Sequence, residues 1–324
     1  MGLLHHEDAP VLLPLPTPLV RASTLSTAGC EAYLKNETVL PTGSFKVRGA
    51  LLSLKANLAR RPIDEVIAAS TGNHGAAVAW AGRSVGCRVT IFLPRHANPV
   101  KAARIHALGA RIVEIGADLT DAIDAADGYA QRTGAFFLND AADPDVPEGP
   151  AHIGAEIVAQ QPAVTRIYVP MGDTALVRGV ASSAKRAKPS VRIIGVVAAN
   201  APAYLLSWLQ GVVVETATAD TIADGLAVRR PLSQNVAAIR QLVDEVQTVT
   251  EDEMLAAIGA LWHDEAIAAE PAGAAAAAAY RNDPAASGVN VLLVTGANIA
   301  PDVAARAGVP VPPGPISPST ALTD

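Results

Sequence analysis

Val66-Ile67-Ala68-Ala69-Ser70-Thr71-Gly72-Asn73-His74-Gly75 passes from a short apolar run through small polar residues into a helical pattern. That is a strand feeding a helix through a tight loop. The same alternation recurs on both sides of it. Strand-like runs are expected at Glu31–Lys35, Val66–Ala69, Val89–Leu93, Ile112–Ile115, Ala135–Leu138, Ile167–Val169, Ile193–Val197 and Val291–Thr295. Helical patterns lie between them, at Gly75–Val85, Pro99–Leu108, Leu119–Arg132 and Glu253–Glu265, with another from about Phe45 to Arg60. Most of the runs are apolar throughout, as strands covered on both faces are. The chain therefore predicts an α/β fold with mostly parallel sheets and helices on both sides. The first 25 residues are Pro-rich and read as irregular, and the tail 309–324 is again Pro-rich.

Composition sets wider limits. The 324 residues are 50% hydrophobic and 17% charged, which suits two packed units or one large body and excludes a disordered chain. A net charge of −6 gives no electrostatic reason to expect nucleic acid or an anionic membrane as partner. No window reaches the roughly 18 to 20 apolar residues of a membrane span, and the N-terminus lacks a signal-peptide pattern. Two cysteines, Cys30 and Cys87, make no disulfide framework and read as small buried hydrophobes in a reducing, cytoplasmic setting.

In open parallel sheets, ligands sit where strands end and helices begin. There is no G-x-G-x-x-G and no G-x-x-x-x-G-K-[ST], so the common nucleotide loops are missing. No zinc-ligand spacing occurs either. Lys46, in Pro41-Thr42-Gly43-Ser44-Phe45-Lys46-Val47-Arg48-Gly49-Ala50, stands where a loop turns into a helix. Taken alone it reads as an ordinary surface lysine. Ser70–Gly75 could cap a helix or present backbone N–H groups to an anion.

Together the two segments carry more. P-T-G-S-F-K-x-R-G-A followed by S-x-G-N-H-G resembles the fold-type II pyridoxal-phosphate enzymes, the group of threonine and serine dehydratases and serine racemase. Thr221-Ile222-Ala223-Asp224-Gly225, Glu270-Pro271-Ala272-Gly273 and Thr295-Gly296-Ala297-Asn298 follow in the same order. The resemblance runs from about Pro16 to Asp302. It implies a tryptophan synthase β-like architecture: two open, mostly parallel α/β sheets with pyridoxal 5′-phosphate in the cleft between domains. Residues 1–67 and 143–324 would form the large domain, and 68–142 a small mobile one.

The resemblance also implies roles. Lys46 would bind the cofactor as a Schiff base and act as the base at Cα, with an amine pKa lowered by burial and the cofactor. Phe45 would lie beside the cofactor. Asn73 would donate to its 3′-oxygen. Gly172, Thr174, Ala175 and Leu176 would hold its phosphate, Gly225 and Glu270 would flank its ring, and Thr295 would face the ring nitrogen. A neutral hydroxyl there leaves the ring a weaker electron sink, which suits prompt loss of a β-leaving group. Ser70, Thr71, Gly72, Asn73 and His74 would receive the substrate carboxylate, with Thr71 in place of a second acid/base serine.

Four departures stand out. The phosphate loop, elsewhere a run of glycines, reads Gly172-Asp173-Thr174-Ala175, and Asp173 would repel a phosphate unless turned away or paired. Glu148-Gly149-Pro150-Ala151-His152 replaces a G-Q-G-T-like loop that would flank the substrate side chain. Val197 and Ala203 stand where relatives place acidic metal ligands, so no metal is expected there. Thr71 keeps a hydroxyl but is β-branched, which restricts its rotamer. The expected activity is an ammonia-lyase converting a β-hydroxy-α-amino acid of threonine or serine type to a 2-keto acid and ammonia. Phenylserine, hydroxyaspartate or a hydroxyectoine-derived compound remain open as substrates. An amino-acid racemase and a non-catalytic cofactor-binding protein are the alternative readings. A homodimer is implied by the resemblance. The chain's early end implies the absence of the regulatory domain of the long biosynthetic dehydratases.

Overall fold

The computed structural model describes residues 13–70, 72–95, 99–117, 119–283 and 286–311. Two sheets organise them. The larger has six strands: β1 (Leu19–Arg21), β2 (Cys30–Asn36), β7 (Arg166–Pro170), β8 (Arg192–Ala198), β9 (Glu245–Val249) and β10 (Gly288–Val294). Their order is β1-β2-β10-β7-β8-β9, parallel except for the antiparallel β1–β2 edge. The smaller has four parallel strands, β3 (Glu65–Ala69), β4 (Arg88–Leu93), β5 (Arg111–Glu114) and β6 (Phe136–Phe137), in the order β5-β4-β3-β6.

Strand periodicity of two sends alternate side chains to opposite faces. In β10, Leu292 and Val294 join a core layer with α9 (Glu251–Glu265) and α10 (Pro271–Arg281). Val291 and Leu293 join the opposite layer, with α5 (Glu148–Gln160), α6 (Ala175–Ala187) and α8 (Ser233–Leu242). The small sheet is covered in the same way. Val66 and Ala68 pack with α1 (Lys46–Arg60) and α2 (Asn73–Ser84), whereas Ile67 faces α4 (Leu119–Thr133). Two covered faces explain why the strands read as continuous apolar runs. The chain also forms α3 (Pro99–Ala107) and α7 (Ala203–Gln210) between strands, and α11 (Pro301–Arg306) after β10.

Several expectations need correction. β1 lies inside the stretch read as irregular: it is a three-residue antiparallel edge, too short to show a pattern. β9 is a half-buried edge strand that the apolar runs did not reveal. β3 begins at Glu65, so the border expected at 67/68 falls inside a strand. Glu148–His152 is the first turn of α5, not a loop. Gly149 there lies so close to α1 that a Cβ would fall 2.4 Å from the backbone of Arg48. That glycine is required by helix–helix packing, while Glu148 and His152 are exposed. Cys30 and Cys87 are half-buried, not fully buried.

Candidate active site

Lys46 is held by two strand ends. The loop before it is stitched to the C-terminal end of β10: Phe45 N–H donates to Thr295 O at 3.0 Å, Ala297 N–H donates to Gly43 O at 2.9 Å, and Ser44 bridges Gly296. Phe45 is the N-cap residue of α1, and the Lys46 amine lies 5.3 Å from its ring centroid. Lys46 therefore opens a helix at the carboxyl edge of the large sheet.

Its amine faces carboxylates. Lys46 Nζ donates to Asp140 Oδ2, on the segment after β6, and Asp140 also lies 3.7 Å from His74 Nδ1. Burial pulls the Lys46 amine down, but Asp140, Asp173 and Glu270 outweigh it and hold the amine above its ordinary value. Burial acts in the expected direction, and the three carboxylates reverse its net effect. Asp140 stays well below the usual carboxylate range, since His74 and Lys46 outweigh the cost of its burial. Asp173 is pushed up to about 6, by burial first and then by Asp140, against the pull of Lys46 and Arg178.

The loop into α2 forms a second wall. Gly72 is the N-cap residue of α2 and Asn73 its first residue. The Ser70 hydroxyl accepts from Gly72 N–H at 3.2 Å. Thr71 lies outside the described residues. Asn73 Nδ2 donates to Glu270 Oε1 at 2.5 Å, and Asn73 Oδ1 accepts from Asn298 Nδ2 at 2.5 Å. An amide has two N–H donors, so one Asn73 donor remains for a ligand oxygen. His74 is buried, with Nε2 bonded to Leu138 O at 2.9 Å and Nδ1 turned to Asp140. Arg104 closes this wall by donating to Asn298 Oδ1, and to Thr42 O at 2.9 Å.

The third wall is the β7–α6 turn. A Cβ on Gly172 would fall 2.0 Å from Gly225 O, so the two loops approach through bare backbone. Thr174 is the N-cap residue of α6 at φ 70, and Ala175 and Leu176 open the helix. The first N–H groups of a helix lack intrahelical partners, so this turn is a cradle for an anion. Arg178 Nη2 is buried there without a partner among the described residues. A cradle of bare backbone plus an orphaned cationic donor fits a phosphate. Thr295 is buried directly before Gly296, on the side of Lys46.

The structure thus gathers Lys46, Asn73, His74 and Glu270 around one centre, with Asp140, Asp173, Arg104 and Asn298 added. Asp140 was missed because nothing local in Phe137-Leu138-Asn139-Asp140 marks a pocket. Arg178 stands three residues beyond the Gly172–Ala175 loop and carries no motif of its own. Val197 and Ala203 are buried at the end of β8 and the start of α7.

A lysine opening a helix at the carboxyl edge of a mostly parallel sheet, within electrostatic reach of the turn that opens α6, is the arrangement of a fold-type II pyridoxal-phosphate enzyme. The pyridoxal-phosphate dependent enzyme family matches residues 12–296, and the chain belongs to it. Within that family it falls in the threonine dehydratase group. It is 36% identical to the L-threonine ammonia-lyase of Thermotoga maritima over 285 residues, covering 87% of this chain and 71% of that protein. Among solved structures, the processed form of threonine deaminase isoform 2 from Solanum lycopersicum superposes with a TM-score of 0.84 at 31% identity, covering 90% of this chain and 86% of that one. Maize serine racemase also gives 0.84, at 27% identity, covering 90% and 91%. No helix among the described residues is long and apolar enough to cross a membrane.

Proposed function

We propose that the chain is an ammonia-lyase for a β-hydroxy-α-amino acid, with threonine and serine the first candidates. The observation that carries this reading is the placement of the Lys46 amine among Asn73, Glu270 and the Thr295 strand end. Pyridoxal phosphate, when bound, supplies the electron sink that lets the Cα–H bond break. The chain's residues do the rest. Lys46 holds and moves the Cα proton. The N–H groups at the start of α2 receive the substrate carboxylate. Asn73, fixed from both sides by Glu270 and Asn298, offers its remaining N–H to the cofactor's 3′-oxygen. Gly172, Thr174, Ala175 and Leu176 would hold the phosphate, and Gly225 would bring backbone beside the cofactor. Thr295, buried at the strand end beside the Lys46 loop, would offer the cofactor's ring a neutral hydroxyl and not a carboxylate.

Ammonia and 2-keto acid release across a panel of β-hydroxy amino acids tests this reading. Release from L-threonine or L-serine, abolished in Lys46→Ala, is the expected result. Inversion of configuration without ammonia release would overturn it. A cytoplasmic homodimer belongs to the same proposal, and light scattering at twice the chain mass is its test.

A further inference from the structure

Arg178 is placed where a cation is hard to keep. It sits one turn into α6, four residues after the N-cap residue Thr174. Side chains on a helix lean toward its N-terminus. Arg178 does so: its Nε donates to Thr174 Oγ1 at 3.1 Å, which puts the guanidinium at the mouth of the cradle. That end of a helix carries the positive end of the macrodipole, so it disfavours a cation. Burial lowers the guanidinium's pKa, with Tyr204 and Asp173 pulling the other way, and Nη2 is buried with no acceptor among the described residues. A buried guanidinium with an unsatisfied N–H, set beside open helix N–H groups, is completed by an anion placed there.

We propose that Arg178 is a direct ligand of the cofactor's 5′-phosphate, replacing in this chain the contacts that a run of glycines would make. This rests on the family's cofactor and not on the identity of the amino-acid substrate. A glycine run offers amides from every residue of the turn. Here Asp173 and Thr174 stiffen the turn, and a guanidinium supplies the charge-assisted donor instead. Asp173 fits the same arrangement. Burial and Asp140 already raise its carboxyl, and a dianion beside it would raise it further, which lessens its repulsion of a phosphate. Tyr204 and Asn235 brace the turn from behind: Asn235 Nδ2 lies 3.3 Å from both Asp173 O and Tyr204 Oη.

The test compares two ligands of the apoprotein, pyridoxal phosphate and phosphate-free pyridoxal, by equilibrium dialysis. In Arg178→Gln, which keeps a donor for Thr174 but no charge, pyridoxal phosphate affinity should fall about ten- to a hundredfold. Pyridoxal affinity should be unchanged, and Arg178→Lys should recover part of the loss. Inorganic phosphate should raise the melting temperature of the wild-type apoprotein and not that of Arg178→Gln. Unchanged pyridoxal phosphate affinity overturns the proposal. So does an equal loss for both ligands, which would make Arg178 a packing residue. Neither readout needs turnover, so a failure here is separate from a failure of the ammonia-lyase reading.

Discussion

The Lys46 amine is ion-paired with Asp140, a carboxylate 94 residues further along the chain, on the segment that leaves the small sheet. The pair ties the first residue of α1 to the wall that carries His74. It also sets the charge of the amine, since Asp140, Asp173 and Glu270 together overcome the effect of burial.

Asp140→Asn should therefore move the chemistry of the amine. Covalent uptake of the cofactor aldehyde needs the neutral amine, whose fraction rises with pH. With Asp140 neutralised, burial acts with less opposition and the Lys46 pKa falls. The pH profile of uptake by the apoprotein should shift to lower pH. Stopped-flow absorbance against pH reads this directly. An unmoved profile would mean that Asp173 and Glu270 set the amine's charge without Asp140.

Asp173 makes a prediction about stability. Its folded carboxyl is pushed up to about 6 from an ordinary value of 3.8. Between those values the folded apoprotein holds a proton that the unfolded chain has released. Stability therefore falls as pH rises through that window. Asp173→Asn removes the slope. The variant apoprotein should match wild type below the window and exceed it above pH 6, by at most about 3 kcal/mol. Urea unfolding at a series of pH values measures the difference.

Gly172 carries the approach of the phosphate turn to the Gly225 loop. In Gly172→Ala the new methyl would sit 2.0 Å from Gly225 O, and backbone cannot yield as a side-chain tip can. The two loops must separate, with a stability loss of about 1–3 kcal/mol typical of overpacking. Cofactor affinity should fall at least tenfold, read by dialysis of the apoprotein. Normal affinity would show that the turn tolerates a wider gap than its geometry implies.

What could be read in the sequence follows a physical division. Central strands such as β8 and β10 announce themselves because both faces are covered, and α2 announces itself through a small-residue loop. β1 and β9 do not, since edge strands are short or half wet and their apolar content is diluted. In the site, Lys46, Asn73 and Glu270 were legible through ordered motifs, each local to one strand–helix junction. Asp140, Arg104 and Arg178 act through contacts set by tertiary structure: Arg104 reaches Asn298 over 194 residues of chain. No local pattern encodes such a pairing. The misreading of Glu148–His152 has the same origin, because the constraint on Gly149 comes from α1 and not from its neighbours in sequence.

A buried ionic cluster behind Lys46 supports the last prediction. Arg48, two residues along α1, is almost fully enclosed. Its Nε and Nη2 grip Glu37 at 2.7 and 2.9 Å, and its Nη1 donates to Glu156 at 2.6 Å. Lys35, also enclosed, donates to Glu156 at 2.6 Å, and Thr17 Oγ1 donates to Glu37 at 2.6 Å. The cluster thus joins β2, α1 and α5, and fixes the direction in which α1 presents its first residue. Arg48→Ala would leave Glu37 buried without its guanidinium, at a cost of roughly 3–5 kcal/mol. Removing both charges together, as Arg48→Ala with Glu37→Leu, should recover part of that loss, because no carboxylate is then stranded at position 37. A double-mutant cycle by urea unfolding measures the coupling. If the double variant is no more stable than Arg48→Ala, the loss comes from packing of the long side chain and not from the ion pair.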